Sequence, residues 1–558
     1  MKYFVLLLTL LSCILSPALE AQSLVRGPYL QLPTSTSIIV RWRTDAASVG
    51  RVTYGTDPNN LTQQLDETNA VTDHEVQISG LQPYTTYYYA VGNGAAVLAG
   101  GDDHHHFKTS PVIGTAQPIR VWAIGDFGRS SIDQRKVRDS YHQYSQGKNT
   151  DVWLWLGDNT YYDGTDAEYQ ANVFDAAFGY DSLFRYLPFM PCPGNHDYEV
   201  ISSPSASSDP ANHTGPYYDI INVPTQGELG GVPSGYELYY SYDYGNVHFI
   251  SLNSELGSVI GAYDWTGVSL GSFNGSPMYD WLRADLEAND KPWVVAYFHQ
   301  PPYSKGSHDS DDFWELYMTA MRENFIPVLE EFGVDLVING HSHVYERSFP
   351  IKGHYGTSSS WDPAVHLVSP QCGYDQIGEP YVKYLFGPEA NKGTIYAVVG
   401  CSGSSEDGAS LGHPAMCYSA GGDTTIGSFI IEVDGNRLDA QFLRADGLIM
   451  DSFTILKVDT TTNVLPDPNS AVRDVKVYPN PFSGQTTISY YLAHNSTVSL
   501  EVYDLHGRMW RLQKNKVETA GQHEYLLDAT KLNLASGSYI FQVKTEDGNF
   551  MQRLLFLD

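Results

Sequence analysis

Five loops in the middle of the chain place acidic, amide, phenolic or imidazole side chains directly after apolar stretches. In chain order these loops contain Gly-Asp-Phe-Gly, Gly-Asp-Asn-Thr-Tyr, Gly-Asn-His-Asp, Phe-His and Gly-His-Ser-His. Oxygen donors together with imidazole nitrogens are the ligands that a pair of transition metal ions requires. The candidate ligands are Asp126, Asp158, Tyr161, Asn195, His299, His341 and His343.

Each of these residues, taken alone, has an ordinary structural explanation. An aspartate after a strand is often a turn former, and His299 by itself would more often be a hydrogen-bonded core histidine. His341 and His343 form a better pair, because residues two apart on an extended backbone project to the same side. Five such loops in order are hard to explain by structure alone, so the sequence predicts one metal-binding cleft.

The apolar stretches that lead into these loops are typical of strands, and helical patterns separate them. Strand-like runs cover 120–124, 152–156, 247–250, 293–297 and 336–338. Helical periodicity covers 166–178, 277–289 and 312–332. This alternation predicts an α/β domain, with the candidate ligands at the ends of its strands.

The segment before this domain is predicted to be a β-sandwich over 24–112. Its short runs alternate apolar and polar residues, and the stretch 80–87, Gly-Leu-Gln-Pro-Tyr-Thr-Thr-Tyr, resembles the tyrosine corner of fibronectin type III domains. Three consecutive histidines, His104, His105 and His106, follow two glycines in a loop. We interpret this run as solvated surface rather than as a metal site.

Size, charge and the N-terminus limit the class of protein. A chain of 558 residues predicts several domains, and its formal net charge of -31 argues against nucleic acid or an anionic membrane as a partner. Residues 1–21, with a lysine, an apolar run and a small-residue end, have the layout of a secretory signal peptide. No later segment reaches the roughly 18 apolar residues that a membrane span needs.

Cysteine usage is consistent with export. Removal of the signal peptide leaves Cys192, Cys372, Cys401 and Cys417. In an oxidising compartment these four residues predict one or two disulfides, and if all four pair there are three possible connectivities. The sequence does not choose among them.

The five loops resemble those of the calcineurin-like metallophosphoesterases. Tyr161, in Gly-Asp-x-x-Tyr, narrows the resemblance to purple acid phosphatases with an added N-terminal fibronectin-like domain, over roughly 24–457, with the catalytic domain at 117–457. The resemblance implies Fe(III) together with a divalent Fe, Zn or Mn ion. It assigns Fe(III) to Asp126, Tyr161 and His343, the divalent ion to Asn195, His299 and His341, and a bridging position to Asp158.

The same resemblance implies an activity and two catalytic histidines. A metal hydroxide would attack a small-molecule phosphate monoester directly, and His196 or His308 would protonate the leaving alcohol or hold substrate oxygens. His308 lies nine residues after His299, a spacing seen in the plant enzymes, but Asp309 stands where a second histidine is common. A phosphodiesterase or nucleotide pyrophosphatase is the nearest alternative, and a non-catalytic surface binding protein is a remote one.

The end of the chain is predicted to be a separate β-sandwich. A linker at 458–474 contains three threonines and Pro-Asp-Pro, and the segment 475–558 follows it. Three motifs, at 477–482, 502–507 and 534–539, resemble those of C-terminal sorting domains of the type IX secretion system. This resemblance implies export through the periplasm to the outer cell surface or the medium, with the secretion machinery as partner.

Overall fold

The fold is multidomain and mostly β-sheet, as predicted. A β-rich N-terminal domain precedes a central domain with two seven-stranded sheets, and a β-rich C-terminal domain follows. The computed structural model describes residues 22–146, 148–198, 214–255, 275–370, 372, 380–385, 390–406, 411–422, 425–458, 472–480, 482–504, 508–545 and 548–557. The predicted signal peptide and linker residues 459–471 lie outside the described residues.

The N-terminal domain is organised by one long strand, β2, which pairs with β1, β3 and β4 along different parts of its length. The backbone N–H of Gln82 donates a 3.0 Å hydrogen bond to the Tyr87 hydroxyl, which forms the predicted tyrosine corner. The strands are β1 Leu24–Gln31, β2 Ser37–Gly55, β3 Gln63–Ser79, β4 Thr86–Gly92, β5 Val97–Gly100 and β6 His106–Lys108.

The histidine run differs from the prediction in part. His104 is exposed, but His105 is buried and its Nδ1 lies 2.8 Å from the Asp102 carboxylate. The ring of His106 stacks on Tyr186 of the central domain at 5.4 Å. The run therefore closes a turn and contacts the neighbouring domain instead of being fully solvated.

Both central sheets contain the predicted strands. The first has the order β10-β11-β12-β13-β16-β14-β17, and the second has the order β15-β20-β19-β18-β7-β8-β9. Strands β7, β8 and β9 are parallel, as are β11, β12, β13 and β16. Parallel strands covered on both faces are apolar throughout, which is why they could be predicted.

The bounds of these strands are β7 Ile119–Ile124, β8 Val152–Leu156, β9 Phe189–Cys192, β10 Tyr240–Tyr244, β11 Val247–Ser251, β12 Trp293–Tyr297, β13 Leu336–Asn339, β14 Tyr345–Ser348, β15 Tyr381–Tyr384, β16 Ile395–Val399, β17 Met416–Ala420, β18 Gly427–Asp434, β19 Arg437–Arg444 and β20 Ile449–Val458. Stacked aromatic rings fix the second sheet near the predicted site. Trp122 lies 4.1 Å from Tyr141, and Trp155 lies 3.9 Å from Phe189, between ring centroids.

The central helices are shorter than their sequence patterns. They are α1 Ile132–Tyr144, α2 Asp166–Glu168 with a π-helical continuation Tyr169–Val173, α3 Asp181–Phe184, α4 Pro216–Ile220, α5 Pro277–Ala288, α6 Leu316–Ala320 with a π-helical continuation Met321–Phe325, α7 Ile326–Glu331 and α8 Pro363–His366. The helix predicted from residue 312 begins at Leu316. The preceding residues instead form turns, one of which directs Glu315 towards two histidines of the candidate site.

The C-terminal domain has a hydrophobic core of its own, which includes Ile488, Val502 and Phe541. Its three-stranded sheet has the order β21-β22-β25 and its four-stranded sheet the order β24-β23-β26-β27. The elements are β21 Val472–Tyr478, β22 Gln485–Leu492, β23 Ser496–Asp504, β24 Met509–Glu518, β25 Gly521–Asp528, α9 Ala529–Leu532, β26 Gly537–Thr545 and β27 Gly548–Phe556. None of the helices in the described ranges has the length and apolar character to cross a bilayer.

One disulfide joins Cys372 to Cys417. Cys192 and Cys401 are buried free thiols. The structure thus realises the smaller of the two predicted numbers of bridges.

Candidate metal centre

The candidate ligands follow the carboxyl ends of neighbouring parallel strands in both central sheets. Asp126 and Asp158 each stand two residues after their strands, β7 and β8, and Asn195 stands three residues after β9. In the other sheet, His299 and His341 stand two residues after β12 and β13. Parallel pairing aligns these ends, and crevices beyond the carboxyl ends of strands are common ligand sites in α/β folds.

One group of ligands surrounds the hydroxyl of Tyr161. Its Oη lies 3.0 Å from Oδ1 of Asp126, 3.0 Å from Oδ2 of Asp158 and 3.3 Å from Nε2 of His343. Nε2 of His343 is 3.4 Å from Oδ1 of Asp126. The residues expected to hold Fe(III) therefore point their donor atoms at one position.

A second group lies on the other side of Asp158. Nε2 of His299 is 3.2 Å from Oδ1 of Asp158 and 3.2 Å from Oδ1 of Asn195. The rings of His299 and His341 are 5.0 Å apart between centroids. The two oxygens of Asp158 thus face different groups, and the fold brings all seven predicted ligands together.

Hydrogen bonds turn the imidazoles towards the centre. Nδ1 of His299 donates to the carbonyl of Leu156 at 2.9 Å, which leaves Nε2 free to act as a ligand. Nδ1 of His343 lies 2.9 Å from the Glu406 carboxylate. Nε2 of His341 is buried and makes no well-formed hydrogen bond among the described residues, and its nearest acidic neighbour is Oε2 of Glu315 at 3.5 Å. A metal ion would satisfy this nitrogen more fully than that long contact does.

The backbone at the site is strained. Asp126, Asp158 and His341 have φ values of 56°, 49° and 67°, in the left-handed region that non-glycine residues seldom adopt. Each such residue costs about 1–3 kcal/mol, and such strain clusters at functional sites. Glycines precede the ligands because there is no space for a side chain at these positions. A Cβ on Gly340 would lie 2.5 Å from Oδ2 of Asp126, and one on Gly157 would lie 2.5 Å from Nδ1 of His299.

The electrostatics of the buried cluster favour a bound cation. Burial raises the pKa of Tyr161 well above its usual value, and the charges of Asp126 and Asp158 raise it further. Burial lowers the pKa of His299, but the two aspartates outweigh burial and raise it to about 10. A proton on His299 is thus the cation that balances Asp158 in the protein alone. Metal ions would replace that proton and stabilise the phenolate.

His341 is already in the protonation state that metal binding requires. Burial lowers its pKa to about 4, with further lowering from His308 and His299 that the Glu315 carboxylate opposes. Its imidazole is therefore neutral at neutral pH. A neutral imidazole is the form that binds a metal ion, so the donor set fits a metal pair.

The two predicted catalytic histidines contact different ligands of the cluster. Nε2 of His196 is 3.9 Å from Oδ2 of Asp158, and its ring lies 4.6 Å from the Tyr161 ring. The His308 ring lies 3.8 Å from the His341 ring. Both histidines are partly exposed, so either can meet a substrate that enters from solvent.

Sequence reasoning missed several acidic residues that support the site, among them Glu406, Asp197 and Glu315. Asp197 is fully buried and accepts hydrogen bonds from the Gly194 N–H at 2.7 Å and from Asn159, and burial first and then Asp158 raise its pKa to about 7. Glu315 lies 2.6 Å from Nδ1 of His308. Asp197 could have been noticed in the Gly-Asn-His-Asp loop, whereas Glu315 sits in an apparent helix and has no sequence signal.

Three family models match successive parts of the chain. Residues 25–109 match the purple acid phosphatase N-terminal domain, residues 119–345 match the calcineurin-like phosphoesterases, and residues 476–556 match the secretion system C-terminal sorting domain. The central domain belongs to the calcineurin-like phosphoesterase family. The resemblance drawn from the five loops is therefore confirmed, and so is the one drawn from the C-terminal motifs.

Purple acid phosphatases are among the relatives of this chain. Purple acid phosphatase 15 of Arabidopsis thaliana is 28% identical over 300 residues, which cover 49% of each chain. Purple acid phosphatase 1 of Ipomoea batatas is 27% identical over 430 residues, which cover 73% of this chain and 76% of the relative. The chain spans between 36% and 49% of the length of several curated relatives that it matches.

A solved structure shows the same fold. Purple acid phosphatase PPD1 from yellow lupin seeds matches with a TM-score of 0.54 at 19% identity, over 78% of this chain and 75% of the lupin chain.

The position of Asp158 between the two groups predicts how metal content responds to substitution. Asp158→Asn keeps the shape of the side chain but removes the charge, so we expect the purified protein to retain less than about a tenth of its metal. His308→Ala removes a ring that packs on His341 and contacts Glu315 but is not one of the predicted ligands, so metal content should stay unchanged. Elemental analysis of both variants measures this, and a fully loaded Asp158→Asn protein would contradict a shared carboxylate.

Proposed function

We propose that this chain is an exported acid phosphatase that hydrolyses phosphate monoesters at a two-metal site. The observation that supports this most is the buried Asp158 carboxylate, whose two oxygens lie 3.0 Å from the Tyr161 hydroxyl and 3.2 Å from the His299 imidazole. Asp126, Tyr161 and His343 would hold Fe(III), and Asn195, His299 and His341 would hold a divalent Fe, Zn or Mn ion. Phenolate and carboxylate suit the harder ion, and imidazoles suit the softer one.

Two bound metal ions would supply the Lewis acidity that activates water and neutralises charge on the phosphoryl oxygens. The remaining work falls to side chains of the chain itself. His196 is turned by its Nδ1, which lies 2.6 Å from the carbonyl oxygen of Tyr162, so that Nε2 faces the cluster. His308 is oriented in the same way by Glu315. Either imidazole can donate a proton to the departing alcohol oxygen or hold a substrate oxygen.

A phosphodiesterase or nucleotide pyrophosphatase is the nearest alternative, since the same ligands support both reactions. Kinetics with an aryl phosphate monoester and the matching aryl diester separates the two functions. We expect kcat/KM to be at least about tenfold higher for the monoester, and higher at pH 5 than at pH 9. Below about pH 6 the monoester is mostly a monoanion, which a chain of formal net charge -31 repels less. A preference for the diester, or a maximum near pH 9, would contradict the proposal.

Tyr161 distinguishes the purple enzymes from other members of the family, because a phenolate bound to Fe(III) absorbs visible light. The oxidised protein, isolated from its host, should be purple. Tyr161→Phe keeps the ring and its packing but removes the oxygen, so we expect the visible band to disappear while the fold survives.

Tyr162→Phe is the matched control for the colour experiment, since Tyr162 is the next residue and is exposed. The absorption spectrum of this control should equal that of the unaltered protein. A colourless, iron-free and fully active unaltered protein would leave the phosphatase proposal standing but would contradict the assignment of Fe(III).

We further propose that residues 24–112, 117–457 and 475–558 are three domains, that a linker at 458–474 joins the last two, and that 1–21 is removed as a signal peptide. The match to a sorting domain supports a role of the last unit in secretion to the cell surface or the medium. Its separate hydrophobic core supports its independence from catalysis. The type IX machinery would then be its partner.

Deletion of the chain from about Ser470 onward tests this division of roles. We expect the truncated protein to keep its full kcat/KM after purification. The hydrophobic core of the deleted segment shares no residue with the core of the central domain. In the native host it should remain in the periplasm while the full chain leaves the cell. Export of the truncated protein, or loss of its activity, would assign the segment an accessory role instead.

A further inference from the structure

Arg129 borders the metal pocket on the side of Tyr161. The central carbon of its guanidinium lies 3.7 Å from the centre of the Tyr161 ring and 5.8 Å from that of Tyr162. One terminal nitrogen is 3.5 Å from Nε2 of His343, the atom assigned to a metal. The guanidinium therefore reaches the position where the ligand atoms converge, although it cannot itself bind a metal.

The neighbouring Tyr161 and Asp126 stabilise the charge of Arg129, but they do not form an ion pair with it. Most arginines in the described part of the chain pair with carboxylates, among them Arg26, Arg43, Arg120, Arg283 and Arg347. Arg129 has no such partner among the described residues, and its Nε is buried without a hydrogen bond there. A half-buried guanidinium with free donors is costly unless an anion completes it.

Other contacts hold Arg129 in place. Its backbone N–H donates to the Gln134 side chain at 2.9 Å, which fixes the loop against helix α1. The nearby cation Lys305 is not equivalent, because its Nζ lies 2.8 Å from both Asp309 and Asp311. Within the described ranges, Arg129 is thus the uncommitted permanent cation beside the cluster.

We propose that Arg129 binds a non-bridging oxygen of the substrate phosphate, beside Tyr161. This inference rests on the proposed phosphatase function and adds a substrate-contacting residue to it. The planar fork of N–H donors matches the oxygens of a phosphate group. In a chain of formal net charge -31, such a local cation also favours entry of an anionic substrate. If Nε2 of His343 binds a metal, it can no longer accept a hydrogen bond from the Arg129 guanidinium. The N–H groups of the guanidinium are then free to donate to the anion.

The competing interpretation is that Arg129 only packs on the Tyr161 ring, since cations over aromatic rings stabilise many proteins. Binding of inorganic phosphate separates the two roles. The metal-loaded full chain and its variants are titrated with phosphate by calorimetry at fixed pH, with metal content measured in parallel. We expect Arg129→Gln to raise the dissociation constant at least about tenfold, as loss of a hydrogen bond to a charged group does.

Two further variants sharpen this experiment. Arg129→Lys keeps the charge but not the fork, so its dissociation constant should lie between those of the unaltered protein and Arg129→Gln. Arg135→Gln is the matched control, because Arg135 is exposed on helix α1 and its guanidinium also lies over an aromatic ring, 5.5 Å from the centre of Phe178. Phosphate affinity should be unchanged in this control.

The proposal is overturned if Arg129→Gln binds phosphate as tightly as the unaltered protein at equal metal content. Loss of metal from both Arg129 variants would overturn it as well, since Arg129 would then act on the metal ligands and not on the anion. Phosphate binding is measured without turnover. A protein that binds phosphate through Arg129 but hydrolyses no monoester would therefore refute the proposed function and leave this inference intact.

Discussion

The rest of the site depends on one buried carboxylate, that of Asp158. One of its oxygens faces the group of donors around Tyr161, and the other faces the group around His299. The position of Asp158 therefore fixes how far apart these two groups lie. Burial opposes its ionisation, but the charge and hydrogen bond of His299 outweigh burial and hold the pKa of Asp158 below its usual value. A carboxylate that stays ionised while buried requires cations nearby. This requirement accounts for the imidazoles on one side and favours metals in place of their protons.

Holding that carboxylate demands a rigid frame. Asp158 follows β8, whose Trp153 and Trp155 are fully buried among stacked aromatic rings. A left-handed backbone at Asp126, Asp158 and His341 would relax in a soft environment, since each residue costs about 1–3 kcal/mol. The parallel strands and their aromatic packing prevent this relaxation. The strained backbone conformations of these three ligands are thus maintained.

The sequence was informative where chemistry and local structure coincide. Apolar parallel strands predicted the central sheets, and the loops after them predicted all seven residues that the fold brings together. The Gly-Asp and Gly-His motifs are informative because the site requires glycine there. Gly340, for example, lies so close to Asp126 that no side chain would fit. Contacts between segments that are distant along the chain leave no such pattern in the sequence. Glu315 reads as part of a helix, and the pairing of Cys372 with Cys417 depends on tertiary structure alone.

Electrostatic interactions were hardest to predict, because they too depend on contacts that leave no pattern in the sequence. Net charge predicts which macromolecular partners are disfavoured, but it says nothing of where single charges lie. His105 shows the limit at the surface, because a local bond to Asp102 buries a residue that composition assigns to solvent. Arg129 shows it at the site, where it stacks on Tyr161 and forms no ion pair with any carboxylate of the described residues, in a strongly acidic chain. An anion bound beside Arg129 would balance this charge, and the phosphate of the proposed monoester substrate is such an anion.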